Sequence, residues 1–420
     1  MLIHWIWLST RSSMTDRTRV ALLQQFADAE DIYFADREAY AVVEGISEEG
    51  IVSLQDKELS YAEEILGQCA RKGIHILCYR DAAYPNRLKN IPDPPVVLYY
   101  KGRLPDFDAL PLVAVVGTRK ASAYGMTTAK RLGYQIASCG GVVVSGAAFG
   151  IDAMAMRGAL TAGVSVVGVL GNGVDIVYPL SNRSLYADIE RNGCLLSEFP
   201  PETPPHKWNF PKRNRIISGL SCGVLVVEAP ERSGALITAR QAADQGRDVF
   251  VVPGNIDVDT CIGSNALLRD GAVAVSSGWD VMSEYVSLYP DKICRNDKKI
   301  IQSAYPGEVE QTGQNDEKEP AKVAQKVSFP AKLGKNKEIK KKKEIDNGQV
   351  KPYIDAEKPM PELSETEKMI LNLLKEDTLL ADDIIAAMGV QAGSVLAALT
   401  MLEIKGVVTR LPGKRVRRRK

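Results

Sequence analysis

The sequence is poor in the residues that build metal and disulfide sites. Its 420 residues include three histidines and seven cysteines, and no two cysteines have C-x-x-C spacing. The number of cysteines is odd and most of them lie in apolar surroundings, a pattern typical of buried thiols in a reducing compartment. We therefore expect no metal site, and no motif in the sequence indicates a cofactor.

A membrane segment and an excess of charge are also missing. No apolar run is long enough to cross a bilayer. The first ten residues, MLIHWIWLST, lack the basic leader and the cleavage site of a signal peptide. We expect a cytoplasmic protein without a membrane span. Lysine and arginine number 53 against 52 acidic residues, so a polyanion would have to bind a local patch of cations.

The length predicts two to four domains, and the first part of the chain has helical periodicity. Within residues 1–75, apolar residues recur at three- and four-residue spacing in segments 19–28, 36–43 and 61–72. We expect a helical module of the SAM or helix-hairpin-helix kind. Its turns are poor in glycine, which favours a packing or partner-binding role over contact with nucleic acid.

Residues 76–289 alternate short β-branched runs with helical segments. The predicted strands are 112–116, 142–144, 165–170, 194–196, 223–227 and 248–252. The predicted helices are 124–138, 152–162, 182–192 and 235–245. This alternation predicts an α/β fold, an extended Rossmann-like, doubly wound and mostly parallel sheet. Ligands of such sheets bind at the carboxyl ends of the strands, on the loops at 117–124, 145–151, 171–179 and 228–234.

The last part of the chain changes composition twice. Ten lysines fall between Lys318 and Lys343 among few large apolar residues, so residues 290–358 are expected to form a disordered linker. Residues 359–420 then predict helices at 364–375, 381–388 and 391–405 and an extended segment at 407–411. This order is typical of a winged-helix domain. Its basic tail carries eight cations among the last sixteen residues.

The most informative segment is FPKRNRIISGL at residues 210–220. Lys212, Arg213 and Arg215 fall within four positions, with Asn214 between them and Phe210 ahead of them. Cations neutralise phosphates, and an aromatic face stacks on an unpaired base. The segment therefore predicts a surface that binds a polyanion, and the alternative is a solvated helix face.

Two of the four loops carry groups suited to an anion. In GTRKASAYG, Gly117 lets an anion approach the backbone, and Arg119 offers a fork for a phosphate or for a carboxylate of the fold. In SGAAFGID, Ser145 and Gly146 have little side-chain volume, so their amides could form an anion-binding nest. Asp152 is expected to cap the next helix, and Phe149 is either core or a stacking platform.

The remaining two loops give weaker signals. Arg183, just inside the helix that follows the third loop, either reaches a phosphate or is solvated. Ser233 and Gly234 present small residues and amides at a helix start. Small residues thus recur along the ligand edge of the predicted sheet.

Together these segments resemble the DNA-processing protein A family, also called DprA or Smf. The motifs that carry the resemblance are GTRKASAYG, SGAAFGID, FPKRNRIISGL, SGALITA, VFVVPG and GSNALLRDGA, in this order along the chain. The phrase IPDPP at residues 91–95 and the terminal winged-helix pattern agree with it. The resemblance covers nearly the whole chain except the linker.

The resemblance implies a domain that binds single-stranded DNA and dimerises. It implies loading of the RecA recombinase onto incoming strands during natural transformation, past single-strand-binding protein. The implied DNA-binding residues are Gly117, Thr118, Arg119, Ser145, Gly146, Phe149, Gly150, Arg183, Phe210, Lys212, Arg213, Asn214, Arg215, Ser233 and Gly234. The implied dimer edge contains Leu267, Leu268 and Val273. The family is not known for turnover, so we expect no catalytic residues.

Two other functions fit parts of the sequence. One is a nucleotide-processing enzyme on a related fold, for which Glu198 and Glu228 at strand ends are the candidate carboxylates. No Walker A motif accompanies them. The other is a transcription regulator that binds through the winged helix. Its predicted recognition helix, residues 391–405, is rich in alanine and leucine and offers few groups that read base edges.

Overall fold

The structure is a computed structural model that describes residues 1–296, 364–374, 379–388, 395, 398–399, 401–402, 407–411 and 415–418. The chain divides into two compact units, residues 1–316 and 317–420. Most of the predicted linker lies outside the described residues. Its first residues, 290–296, are described, and Ile293 is buried in the core of the first unit.

The first unit begins with six helices. They are α1 Leu2–Thr10, α2 Asp16–Gln25, α3 Ala29–Phe34, α4 Arg37–Ala41, α5 Glu48–Gln55 and α6 Ser60–Lys72. Side chains of Thr15, Asp28, Asp36 and Ser47 cap four of the helix starts. Trp7 and Leu22 of these helices belong to the same apolar cluster as Val113 and Phe250 of the sheet. The helical module and the sheet therefore share one core.

A nine-stranded sheet follows. Its strands are β1 His75–Cys78, β2 Val97–Gly102, β3 Leu112–Val116, β4 Val142–Ser145, β5 Val166–Val169, β6 Cys194–Ser197, β7 Gly223–Val226, β8 Asp248–Val251 and β9 Val273–Ala274. The order across the sheet is β1-β2-β6-β5-β4-β3-β7-β8-β9. Strands β3 to β9 pair in parallel. Strand β2 pairs antiparallel with β6, and β1 pairs antiparallel with β2.

Helices cover the sheet. They are α7 Asn86–Lys89, α8 Ala123–Ser138, α9 Ile151–Thr161, α10 Arg183–Asn192, α11 Asn209–Leu220, α12 Gly234–Asp244, α13 Ile262–Arg269 and α14 Gly278–Met282. Two apolar clusters lie on opposite sides of the strands because alternate residues point to opposite faces, as with Val113 and Ala114. The predicted Rossmann-like fold class is confirmed.

The strand order reverses at β3, where the topology creates a ligand-binding edge. From β3 the chain winds outward through β4, β5 and β6, then returns to the other side of β3 with β7. Ala114 of β3 pairs with Val144 on one side and Val224 on the other. Loops from neighbouring strands diverge at such a switch point and leave a crevice at the carboxyl ends. The loops after β3, β4 and β7 line this crevice.

The second unit contains two helices and a small sheet among its described residues. They are α15 Glu365–Leu373, α16 Ala381–Met388, β10 Leu379–Leu380, β11 Val408–Leu411 and β12 Arg415–Arg418, with sheet order β10-β12-β11. Ser364 and Glu367 bond reciprocally in a capping box at the start of α15. Most of the predicted helix 391–405 lies outside the described residues. Its Val395 and Leu399 are buried in the core.

Candidate nucleic-acid interface

Two adjoining cavities lie at the carboxyl edge of the sheet. The β5 cavity, of about 150 Å³, is bounded by the loop after β5 and contains Leu170, Gly171 and Asn172 in its lining. The α12 cavity, of about 300 Å³, is bounded by the start of α12 and the loop after β3. Arg119, Ala148, Phe210 and Arg213 line both cavities and form the wall between them.

Helix α11 supplies two residues of this wall. The basic segment predicted to bind a polyanion is helical, within Asn209–Leu220. Pro211 lies in the first turn, where a helix needs no backbone donor. The ring of Phe210 packs beside Tyr178, with ring centroids 5.7 Å apart. The apolar residues of α11, such as Ile216 and Leu220, fix the helix by packing into the core.

Arg213 is a buried cation beside both cavities. Its side chain is only 4% exposed and donates to the carbonyl oxygens of Gly146, at 3.0 Å, and Val169. Burial lowers the pKa of its guanidinium to about 10, so Arg213 remains charged at neutral pH. Among the ion pairs that the described residues form, none includes Arg213. The charge of Asp152 acts on Arg213 without an ion pair, so a bound anion could supply a paired counter-charge.

Arg119 is the second cation of the wall, and it is exposed. Its guanidinium carbon lies 4.9 Å from the centroid of the Phe210 ring, a cation–π arrangement. The loop that carries Arg119 is held by Glu228, whose carboxylate accepts from the backbone amide and the hydroxyl of Ser122. Glu228 thus has a structural role, and Arg119 pairs with no carboxylate among the described residues.

The predicted amide nest at Ser145 and Gly146 is already occupied by a carboxylate of the fold. The Gly146 amide donates to Oδ2 of Asp152 at 3.1 Å, and the Ala148 amide bonds to the same carboxylate. The Ser145 hydroxyl is fully buried and donates to the Val115 carbonyl. The prediction that these amides bind phosphate is therefore wrong, because an internal carboxylate occupies the nest.

Asp152 does not cap helix α9, contrary to the prediction. It is the second residue of α9, and Gly150 stands at the cap position without a side-chain bond. Its carboxylate instead holds the preceding loop. Burial raises the pKa of Asp152, and the nearby charge of Arg213 offsets part of that rise. The carboxylate also places a negative charge close to the cavity.

Arg215 does not line either cavity, contrary to its predicted place in the basic pocket. It is 3% exposed, and its guanidinium contacts Glu198 at 2.8 Å, Asp16 at 2.8 Å and Asp93 at 3.2 Å. Burial alone would lower the pKa of Arg215, but these three carboxylates together raise it. Arg215 therefore serves to join α11 to the helical module through Asp16.

Lys212 shares these carboxylates, which we call the carboxylate cluster (Asp16, Asp93 and Glu198). Its Nζ lies 3.1 Å from Glu198 and 3.4 Å from Asp16, and its side chain is 48% exposed. Lys212 is not among the residues that line the cavities. The basic segment thus has two faces, Arg213 toward the cavities and Arg215 with Lys212 toward the carboxylate cluster.

The other predicted DNA-binding residues also divide into those that line the cavities and those that do not. Those that line the cavities are Gly117, Thr118, Gly146, Phe149, Asn214, Ser233 and Gly234. Phe149 is 54% exposed and so belongs to the cavity rim rather than the core. Arg183 is exposed at the start of α10, outside both linings. Gly150 is buried with φ +84°, where an added Cβ would meet the Arg119 carbonyl.

Several lining residues are not among those predicted from the sequence. Tyr178, Tyr186 and Asn172 line the β5 cavity, and Arg232 lines the α12 cavity. The Tyr186 hydroxyl donates to the Tyr178 carbonyl at 2.8 Å, which fixes the two rings relative to each other. Arg232 stands directly before Ser233, and its charge beside a helix start was a signal that could have identified it.

The predicted dimer edge lies at the end of the sheet. β9 is an edge strand of two exposed residues, and Val273 is 50% exposed. Leu267 and Leu268 of α13 are partly buried against the core. An edge strand of this kind presents unpaired backbone groups to a partner.

Within the described parts of the chain, no group of three His, Cys, Asp or Glu side chains could hold a metal ion. No helix in those parts is both long and apolar enough to cross a membrane.

Comparison with known proteins agrees with this architecture. Residues 75–286 match the family model described as DNA recombination-mediator protein A, and residues 355–414 match the DprA winged helix domain. Protein Smf of Synechocystis sp. is 33% identical over 408 residues, which cover 95% of this chain and 94% of that protein. The DNA processing protein DprA of Bacillus subtilis is 42% identical over 220 residues, 52% of this chain and 74% of that protein.

A solved structure is also similar. The X-ray structure of DNA processing protein A from Streptococcus pneumoniae superposes with a TM-score of 0.61 at 33% identity, covering 68% of this chain and 98% of that one. The family expected from the sequence motifs is confirmed by two domain matches, by identity over nearly the full length of one relative, and by the fold. The chain belongs to the DNA recombination-mediator protein A (DprA/Smf) family.

Proposed function

We propose that this protein binds single-stranded DNA at the two cavities, with Arg119 and Arg213 as phosphate-binding residues and Phe210 as a stacking residue. The observation that carries the proposal is Arg213, a buried guanidinium that forms no ion pair among the described residues. The nearest carboxylate, Asp152, interacts with Arg213 but forms no ion pair with it, and burying a cation without a paired counter-charge is costly. A phosphate bound beside Arg213 would remove this cost.

The composition of the wall favours a nucleic acid over a free anion. Arg119 is exposed and packs on the Phe210 ring, so a cation and an aromatic face lie at one place. Phosphate binding through cations and base stacking on aromatic rings are the two terms that bind single strands. The α12 cavity adds Arg232 and the start of α12, where backbone amides favour an anion.

Family membership extends the proposal to recombination. We propose that the protein acts without turnover as a mediator that protects incoming strands in the cytoplasm. It would load RecA recombinase past single-strand-binding protein. Two copies would join through the exposed β9 edge, as the position of Val273 favours. The enzymatic alternative loses its candidate carboxylates, because Glu198 pairs with Arg215 and Glu228 holds Ser122.

Binding of a labelled homothymidine strand, measured by fluorescence anisotropy over a range of salt concentrations, tests the DNA site. Arg119→Ala should weaken binding about tenfold, as expected for loss of a charge-assisted contact. It should also lower the salt slope by about 0.7 for one single-strand phosphate. Lys120→Ala is the matched control, because Lys120 is an exposed neighbour of equal charge that lines neither cavity. Equal losses in both variants would contradict a specific role for Arg119.

RecA loading requires a separate test. DNA-dependent ATP hydrolysis by RecA on a strand covered with single-strand-binding protein should start sooner when the full-length protein is added. Arg119→Ala should lose this effect. If the protein leaves the lag unchanged while it still binds the strand, the mediator role fails and the DNA site stands.

A further inference from the structure

We propose that a groove beside helix α2 binds an acidic peptide segment of a partner protein. The groove, which we call the α2 groove, has a volume of about 540 Å³. Part of its lining comes from α2, and part comes from residues that follow β1, namely Tyr79, Lys89, Ile91, Pro92 and Pro94. None of its lining residues also lines the β5 cavity or the α12 cavity. Binding in the α2 groove is therefore separate from the proposed binding of DNA.

Two cations of the α2 groove have no acidic partner. Arg17 is exposed on α2, and Lys89 is partly exposed at the end of α7. Neither forms an ion pair with another residue that the structure describes. Of the described residues that line the groove, Glu44 is the only acid. Cations thus outnumber acids in the lining, which favours a partner that carries carboxylates over a basic one.

The acids next to the α2 groove in the sequence are already paired. Asp16 precedes Arg17, and its carboxylate lies 2.8 Å from the Arg215 guanidinium. Asp93 lies between the two prolines of the lining, and its carboxylate is 3.2 Å from the same guanidinium. These two acids therefore do not serve as partners for the cations of the groove.

Apolar side chains also line the α2 groove. They include Val20 on α2 and Ile91, Pro92 and Pro94 on the other element. The prolines offer no backbone donor, so they contribute apolar contact. A small inorganic anion would use the two cations and leave this surface bare. An acidic peptide with aliphatic side chains fits both, because successive side chains of an extended chain point to opposite sides.

The aromatic content of the α2 groove disfavours single-stranded DNA as its ligand. Tyr79 is the only aromatic residue among those that line it. The Lys89 ammonium lies over that ring, 5.5 Å from its centroid, and the Tyr84 ring packs against it with centroids 5.4 Å apart. The ring of Tyr79 is thus already in use, whereas binding of a single strand depends on rings that stack on its bases.

Fluorescence anisotropy with a labelled peptide of alternating aspartate and valine tests the α2 groove in the full-length protein. A peptide of alternating asparagine and valine is the control, and it should bind at least about fivefold more weakly, as expected for the loss of exposed ion pairs. Arg17→Ala and Lys89→Met should each weaken binding of the aspartate peptide about fivefold. Arg240→Ala is the matched control variant, because Arg240 is an exposed arginine on helix α12 outside the groove. It should bind the peptide like the wild type.

Three results would overturn the peptide site: no binding of the aspartate peptide, equal binding of the two peptides, or equal losses in Arg17→Ala and Arg240→Ala. Displacement of the bound peptide by homothymidine would also overturn it and assign the α2 groove to the strand. We expect homothymidine to leave the peptide bound, because the lining is not shared with the two cavities. If the protein binds the peptide in this manner but not homothymidine, the proposed function fails and the peptide site stands.

Discussion

Arg213 and Arg215 lie two positions apart on α11 and are both buried, yet their surroundings differ in charge. Arg215 contacts three carboxylates, and those carboxylates raise its pKa despite burial. Arg213 forms hydrogen bonds to backbone carbonyls but no ion pair among the described residues, and burial lowers its pKa. The comparison shows that one arginine is satisfied within the fold and the other is suited to an external anion.

Arg215→Met should give the largest change in stability. Removing one partner of a buried ion pair leaves Glu198 and Asp93 without their main counter-charge, which costs about 3–5 kcal/mol in the free energy of unfolding. Chemical denaturation measures this loss. The double variant Arg215→Met with Glu198→Met is the control and should recover most of it. Glu198 is the carboxylate that Arg215→Met leaves buried, whereas Asp93 is half exposed and Asp16 keeps Arg19 and Lys212. If Arg215→Met lowers the free energy of unfolding no more than Arg213→Met does, the two arginines do not differ as stated here.

Arg213→Met should change affinity more than stability. We expect binding of homothymidine to fall at least about tenfold, because a charge-assisted bond to phosphate is lost. The free energy of unfolding should fall by about 1–3 kcal/mol, from the carbonyls of Gly146 and Val169 that lose a donor. Anisotropy and denaturation on the same preparation separate the two effects. Unchanged affinity in a folded variant would remove Arg213 from the binding site.

Asp152→Asn tests the comparison by removing a negative charge that lies near Arg213. The carboxylate of Asp152 lies near Arg213 and would repel a phosphate bound there, while an asparagine can still accept a bond from the Gly146 amide. Removing this charge should tighten binding of homothymidine roughly threefold, since like charges repel even at an effective dielectric constant of about 20. Weaker binding by a variant with wild-type stability would show that no phosphate lies near Asp152.

Lys212→Ala should have the smallest effect. Lys212 is half exposed and shares the carboxylate cluster, and exposed ion pairs contribute less than about 1 kcal/mol. We expect stability to change by less than that amount and affinity to stay within about twofold. A large loss of affinity would instead support the role in the basic pocket that the sequence predicted for Lys212.

The sheet was predictable from sequence because its central strands are fully buried. The runs at β3, β4, β5 and β7 are continuous and β-branched, as parallel strands covered on both faces require. β1 and β2 were missed because they are antiparallel strands at one end of the sheet and have mixed composition. β9 has only two residues, too few for any periodicity.

The candidate site was predictable in position but not in the partners of its charges. The loops follow predicted strands, so their meeting at one edge followed from the fold class. The partners of Arg215 could not be found because Asp16 and Asp93 are far from it in the chain. Likewise, small residues at 145–148 predicted free amides, and only the packing of α9 shows that Asp152 takes them.

The helical module cannot be separated from the sheet without exposing an apolar surface. Trp5, Trp7 and Leu22 lie in the same core as the strands, and Asp16 of α2 reaches Arg215 on the helix that also carries Arg213 and Phe210. A chain that begins at residue 76 would leave that face of the sheet bare and prone to aggregation. A partner that binds α2 would therefore act on the same helix whose Phe210 and Arg213 line both cavities.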